Sequence, residues 1–310
     1  MITLEADATG LWNEERSSKL AFSGHESFAL RYGWLPKLHE AATADPDVFS
    51  SDERAILTLG MGKNMVKSLR FWGDAFGLTR LRSRGVATTP FARRLLDATT
   101  GTDPYLESPG SLWRLHWNAT AHGRLGAWTA AFLDLQDTEV SRDRLIGLVV
   151  AKAASSGSSV TPTTAAAHVD ILLRTYDGAR LATGPVLEEA LGCPLQELDL
   201  LRVTAPAGTT TIRFSRGAKA TLDVPALAFA LSDFWSGNAP TSRSMSLRSL
   251  MLGRRSPGAV FRLDEASLHE RLDALCSESD GLTLREDGAG GVDLVATRGH
   301  ATDLLERVAW

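Results

Sequence analysis

Hydrophobic positions recur at helical spacing through most of this chain, interrupted by glycine-marked turns and a few short alternating stretches. Residues 22–43 read as a strand or turn followed by a helix ending near LPKLHEAA. Ser50, Ser51, Asp52 and Glu53 form a helix-start signal, so ERAILTL becomes a short helix. Gly60 and Gly62 punctuate it, and KNMVKSLRFWGDAFGL resumes the helical period. There Met65, Leu69, Trp72 and Phe76 fall at i, i+4, i+7 and i+11, an apolar stripe for the core. LTRLRSRGVATT then alternates like a small β-hairpin turning at Arg84-Gly85. Helix, glycine turn, helix and basic hairpin is the order of a winged helix-turn-helix.

Residues 111–177 are mostly helical: SLWRLHWNATAHGRLGAWTAAFLDL, SRDRLIGLVVAKAA and TPTTAAAHVDILLRTYD, with SSGSSVTP as a loop. From 178 the pattern is mixed. LEEALGCPLQELDLL (187–201) is helical, TTTIRFSRG strand-like and VPALAFALSDFWSG helical. The remainder resembles a second, degenerate winged helix; apart from that likeness no 20–50-residue repeat emerges. The expected fold class is therefore mainly α (α+β). A polar arm (1–20) leads into a winged helix-turn-helix-like DNA-binding domain (21–110). A helical middle (111–177) and a C-terminal α+β packing or dimerisation domain (178–310) follow. A length of 310 residues also suggests two or three domains.

Composition narrows the class. With 44% hydrophobic and 23% charged residues, the chain is a soluble globular protein with a sizeable core. A formal charge of −4 and a pI near 6.0 confine any nucleic-acid site to a local patch. Cys193 and Cys276 stand far apart without a CxxC pair, which argues against a disulfide scaffold or structural zinc and fits a reducing cytoplasm. The first residues lack a signal-peptide pattern, and no run of apolar residues is long enough to span a membrane.

The local patch exists. Residues 60–94 hold eight basic residues against Asp74 alone, a local charge of +7. Lys63, Lys67 and Arg70 share the helix face opposite the apolar stripe, with Asn64 at its edge. Cationic side chains there neutralise phosphates, while Asn and Arg also read base edges. Arg80, Arg82 and Arg84 alternate in the hairpin, which in a strand would place three guanidiniums on one face. The plainer alternative is a solvated polar surface. GMGKN lacks the GxxxxGK[ST] spacing, so it is not a phosphate loop. The candidate recognition helix of the second half, DEASLHERLDAL, carries Asp264, Glu265, Glu270 and Asp273 and would repel phosphate. Arg254 and Arg255 are the exception in that half. The apolar LAFALSDFW makes a homodimer through the C-terminal half an expectation as well.

Candidate chemistry centres on FSGHESFALRYGWLPK (22–37). His25 can act as a general base near neutral pH, and Glu26 can hold a divalent metal. Arg31 and Lys37 suit a phosphate clamp. The structural alternative is a helix cap, with Phe22, Phe28 and Trp34 as core. Asp170 and Arg174, one turn apart, read as an ion pair, His116 between tryptophans as a satisfied core histidine, and DPYLE (103–107) as structure. No Ser-His-Asp set, cysteine nucleophile or DxD cluster is defended by spacing.

Five stretches in this order, FSGHESFALRYGWLPK, GMGKNMVKSLRFWGDAFGL, DPYLESPGSLWRLHW, HVDILLRTYD and SPGAVFRLDE, carry a family likeness. The chain resembles, over roughly residues 20–300, a bacterial domain-of-unknown-function family encoded beside DNA phosphorothioation enzymes, the SspB-type nickases. The resemblance implies a DNA-nicking endonuclease acting on one strand of double-stranded DNA in phosphorothioate modification and defence. It further implies partnership with a cysteine desulfurase, an ATPase and an ATP-pyrophosphatase-like sulfur-transfer protein. Within that reading His25 or Glu26 activates water, directly or through Mg²⁺ or Mn²⁺. Arg31, Lys63, Lys67 and Arg70 stabilise the developing charge. Non-catalytic alternatives are a winged-helix DNA-binding adaptor that recruits the modification enzymes, and a module that binds only proteins.

Overall fold

The computed structural model describes residues 20–122, 124–177, 192–205, 208–288 and 290–310. The polar arm expected over 1–20, but for Leu20, and the first part of the helix expected over 187–201 lie outside them.

Helices α1 (Trp34–Ala44), α2 (Asp52–Leu59) and α3 (Lys63–Ala75) come first, followed by the hairpin β1 (Thr79–Leu81) and β2 (Val86–Thr88). The start signal of α2 works as its chemistry requires. Ser51 Oγ accepts the Arg54 N–H, with Asp52 and Glu53 in the positively polarised first turn. Gly60, at φ 62°, closes α2, and Gly62 opens α3, so GMGKN is the turn between two helices. Helix α3 buries Val66, Leu69 and Trp72, with Phe76 just past its end. Met65 is only half-buried, because at the start of α3 the inward face centres on Val66.

The hairpin pairs Thr79 with Thr88, Arg80 with Ala87 and Leu81 with Val86. It is shorter than the sequence pattern implied. Arg80 lies in a strand, whereas Arg82 and Arg84 belong to the turn, where strand alternation no longer sets direction. The three guanidiniums therefore do not share one strand face. The turn itself is pinned, since the Val86 N–H donates to the Pro46 carbonyl at 3.1 Å. Gly85, at φ 69°, leaves no room for a Cβ, which would lie 2.1 Å from the Pro46 oxygen.

Helices α4 (Pro90–Leu96), α5 (Pro109–Ala121) and α6 (Gly126–Trp128) follow, and α6 runs on into a π-helical turn over Thr129–Asp134. Next come β3 (Glu139–Ser141), α7 (Arg142–Ser155), α8 (Pro162–Asp177), β4 (Leu201–Thr204) and β5 (Thr211–Phe214). Ahead of β4, Pro194–Leu198 forms a single 3₁₀ segment rather than the expected helix. Pro194 has no N–H to extend a ladder, and Asp199 turns left-handed at φ 47°. The chain ends with α9 (Val224–Asn238), β6 (Ser244–Ser246), α10 (Leu247–Leu252), α11 (Pro257–Val260), α12 (Glu265–Glu278), β7 (Leu282–Glu286), β8 (Val292–Ala296) and α13 (Ala301–Ala309). The architecture is mainly α with small antiparallel sheets, an α+β arrangement.

Two stretches share one topology. In 139–214 and again in 244–296 a strand, helices and two further strands build a three-stranded antiparallel sheet. Its orders are β3-β5-β4 and β6-β8-β7, so the first strand pairs with the last in each. In both, a serine ending the first strand caps the next helix: Ser141 accepts the Arg144 N–H and Ser246 the Ser249 N–H. The register is built from different residues, Val140 and Val203 on Ile212 in one sheet, Met245 and Leu284 on Leu294 in the other.

Among the described residues five tryptophans are fully buried, and the indole N–H of each of the five has an acceptor. Trp72 donates to the Phe28 carbonyl, Trp113 to Thr221, Trp117 to Asp233, Trp128 to Tyr176 and Trp235 to the Ser242 carbonyl. His116 is satisfied as expected, Nδ1 on the Tyr176 hydroxyl at 2.6 Å and Nε2 on the Val260 carbonyl at 2.9 Å. Asp103 of DPYLE accepts the Glu107 and Ser108 N–H groups, a structural role. The LAFALSDFW segment lies in α9, and apart from Asp233 it is buried within the chain, where α9 packs on α13. It is spent on the intramolecular core, so it offers no surface for the expected homodimer. Among the described residues no helix is long and apolar enough to cross a membrane.

Gly85→Ala is expected to lower stability by roughly 2–4 kcal/mol, combining left-handed strain with a backbone clash. Gly60→Ala, with the same sign of φ but open space around it, should cost about 1 kcal/mol. Urea unfolding of the two variants checks the difference; equal midpoints would remove the clash from the account.

Candidate functional site

The site grows from one turn seated on α3. Gly24 sits at φ 111°, and Glu26 and Ser27 follow at φ 49° and 63°, two successive non-glycine residues in the left-handed region. Such conformations cost about 1–2 kcal/mol each and persist where surrounding contacts impose them. Here the contacts are visible. The Phe28 N–H closes the turn onto the His25 carbonyl at 2.9 Å. The Phe28 carbonyl in turn accepts from Trp72 Nε1 at 3.1 Å and Ser68 Oγ at 3.5 Å. A Cβ on Gly24 would stand 2.9 Å from the Phe71 ring, so the turn lies directly against α3.

His25 is buried in this turn, edge-on to Phe71 and stacked on His168 of α8 with ring centroids 5.3 Å apart and 7° between planes. The Ser27 N–H donates to His25 Nδ1 at 3.2 Å. Nδ1 therefore carries the lone pair, and the neutral ring holds its proton on Nε2, which is buried without a partner. Such a ring offers a hydrogen-bond donor. The general-base role read from the sequence loses its geometric support. Burial, helped by the Arg174 charge, pushes His25 down to about 4, and burial beside His25 pushes His168 down to about 3, so both are neutral at pH 7.

Arg174 Nη1 donates to the Ser27 carbonyl at 3.4 Å, tying α8 to the turn. The sequence paired Arg174 with Asp170. Instead Asp170 grips Arg142 of α7 through two 2.8 Å bonds. His168 and Arg174 are the residues that sequence reading missed. Their signal lay in HVDILLRTYD, but spacing along one helix does not say which neighbour supplies a partner.

Glu26 is exposed at the turn, with no ion pair to a described residue. Arg31 lies 5.6 Å from the centroids of both Phe28 and Trp34, a cation–π placement that holds its guanidinium beside the turn. Lys37 is exposed on α1.

The basic face of α3 borders this turn, because Phe71 stands one helical turn from Lys67 and next to Arg70. Lys67 and Arg70 are half-exposed and make no ion pair with a described residue. Lys63 reaches Asp52 at 3.3 Å, an exposed pair of little strength, and Asn64 is exposed beside it. Asp74, the lone acid of the segment, is taken by Arg124 at 2.5 Å. Arg82 and Arg84 are exposed at the hairpin tip, and Arg80 is half-buried with its Nε unpartnered. Two of the eight cations are diverted to structure: Arg93 donates to the Thr88 carbonyl, and Arg94 lies 4.7 Å over Trp310. Among the described residues no group of three or more His, Cys, Asp or Glu side chains is gathered to hold a metal ion.

This fold has known counterparts. A family described as "Protein of unknown function (DUF4007)" matches residues 22–308, and the chain belongs to it. The chain is also similar to two crystal structures of SspB, one described as magnesium ion-bound, at 31% identity in each case. The likeness covers 94% of this chain and 87% of each SspB chain, with TM-scores of 0.84 and 0.83, so this is an SspB-type protein. No protein of curated function matches it.

The buried histidines set a pH response. His25, His116 and His168 lie near 4, 4 and 3 when folded, against about 6.5 unfolded. The unfolded chain thus binds protons first. Their contribution is complete above pH 6.5 and drains away as pH falls toward 4, by up to about 1.4 kcal/mol per pH unit for each ring. Urea midpoints should drop between pH 6.5 and 4.5, and His168→Phe should flatten the slope by about one ring's share. A midpoint that is level over that range would contradict the neutral stack.

Proposed function

We propose that this chain is a DNA-nicking endonuclease working in phosphorothioate DNA modification and defence. The observation that carries the reading is the placement of the Gly24–Phe28 turn against α3. Glu26 is an exposed carboxylate on that turn, and the adjoining face of α3 carries Lys67 and Arg70, which make no ion pair with a described residue. The SspB likeness supports the same system, with a cysteine desulfurase, an ATPase and an ATP-pyrophosphatase-like sulfur-transfer protein as partners.

In this reading α2, the GMGKN turn and α3 act as a helix-turn-helix, and β1–β2 is its wing. Lys63, Lys67 and Arg70 contact phosphates along one strand, with Asn64 at the base edges. Arg80, Arg82 and Arg84 reach the neighbouring backbone from the hairpin. Arg31 completes a clamp on the phosphate to be cut. His25, accepting the Ser27 N–H at Nδ1, and Arg174, donating to the Ser27 carbonyl, keep the strained turn in shape. Glu26, the solvent-facing carboxylate, takes the proton of the attacking water, while Lys67 and Arg70 offset the charge that develops on the phosphate oxygens. A divalent ion fits this turn only with help from the substrate. Glu26 supplies one carboxylate, and Mg²⁺ or Mn²⁺ is commonly completed by water and phosphate oxygens. Such an ion would polarise the scissile phosphate.

Purified protein with Mg²⁺ or Mn²⁺ is expected to convert supercoiled plasmid to open circle, and a chelator tests the ion in the same gel. Glu26→Gln should abolish nicking while leaving DNA retention intact. Lys67→Ala and Arg70→Ala should each weaken both, lowering the slope of log affinity against log salt by about 0.9 per lost phosphate contact. Salt-sensitive retention without strand breakage under every ion would make the protein a binding adaptor instead.

A further inference from the structure

A second basic feature stands apart from the turn. The π-helical segment, the loop between α10 and α11, and the residues beyond β5 enclose a cleft of about 280 Å³. Four arginines line it, Arg216, Arg254, Arg255 and Arg262, over an apolar floor of Phe132, Leu133, Leu135, Met251 and Leu252. No carboxylate lines it, and none of the four arginines forms an ion pair with a described residue. The acid nearest in effect is Asp264, which feels the Arg216 charge but spends one oxygen capping α12 through the Ser267 N–H.

The cleft is built, and its construction has a cost. Arg262 is 6% exposed, its guanidinium fixed by donation to the Ala131 and Leu135 carbonyls at the end of the π-helical turn and by the Phe214 face at 4.4 Å. Its Nε remains buried with no partner, and so does that of Arg255. Arg255 and Arg262 both adopt left-handed backbone, φ 64° and 56°, without being glycine. π-Helical turns and left-handed non-glycine residues concentrate where function demands them. Burial and the charge of Arg216 push Arg262 down to about 10, and burial with Arg254 lowers Arg255, so the cluster repels itself while empty of counter-charge.

We propose that this arginine cleft binds a phosphate group carried on a nucleotide unit. Guanidinium forks match phosphate oxygens bidentately, and Arg216 and Arg254, exposed in the cleft lining, have no described carboxylate paired with them. The volume sits at the low end of small-molecule sites, room for one phosphate with its sugar and not for a longer segment held whole. The apolar floor gives the sugar or base a surface. The unit belongs either to a polynucleotide strand or to a free nucleotide. Arg255 and Arg124 both lower the proton affinity of His122, and Arg124 is the residue that grips Asp74 near the end of α3. His122 and Arg124 therefore lie between the cleft and the end of α3.

The test does not depend on nicking. Isothermal titration with inorganic phosphate, thymidine 5′-monophosphate and a short oligothymidylate is run on wild type, on Arg216→Gln/Arg254→Gln and on Arg216→Glu/Arg254→Glu. Both altered arginines are exposed, so the fold is preserved, as circular dichroism would verify. Wild type should bind phosphate and the mononucleotide, and the Gln variant should bind each about tenfold more weakly, as expected for lost charged hydrogen bonds. The Glu variant should not bind at all. Tighter binding of the oligonucleotide than of the mononucleotide, lost in the same variants, assigns the phosphate to a strand; equal affinity assigns it to a free nucleotide. No binding by wild type, or affinities unchanged in both variants, overturns the proposal whether or not the protein nicks DNA.

Discussion

Everything at the α3 site depends on one hydrogen bond and the ring that makes it. Trp72 is fully buried, stacked 5.3 Å from Phe76 and edge-on to Trp128 at 5.8 Å, so its position is fixed by the core. Its indole N–H meets the Phe28 carbonyl, which ties the left-handed turn of Glu26 and Ser27 to the helix that carries Lys67 and Arg70. An indole with no acceptor in that interior would lose about 1–3 kcal/mol, which offsets much of the strain of the two left-handed residues. Glu26 and the cations of α3 are thus carried on two segments that the Trp72 bond holds together.

The two basic surfaces solve the same electrostatic problem differently. On α3 the cations are spread along a solvated helix, where water screens their mutual repulsion. In the cleft two guanidiniums are exposed and two are withdrawn from water, so their mutual repulsion is screened less.

How much of this was legible in the sequence follows from which interactions are local. Helices α1 to α3 and the hairpin were readable from periodicity, glycine turns and the start signal around Ser51, since these signals act within a few residues. Asp264, by contrast, was read as a surface acid and proves to cap α12. The cationic face of α3 was readable for the same reason. Arg82 and Arg84 were misread because alternation does not say where a strand ends. The Arg142–Asp170 pair and the His25–His168 stack join residues 28 and more than a hundred positions apart, which no single-chain pattern encodes. The tautomer of His25 depends on a backbone angle at Ser27, again a tertiary matter. LAFALSDFW shows the converse failure: an apolar run identifies burial but not whether the cover comes from the same chain.

The shared plan of the two three-stranded units separates what a fold must keep from what it can vary. Strand order and a serine at the first corner recur, while the paired side chains that fill each sheet differ, so one backbone path accepts two unrelated sets of interior residues.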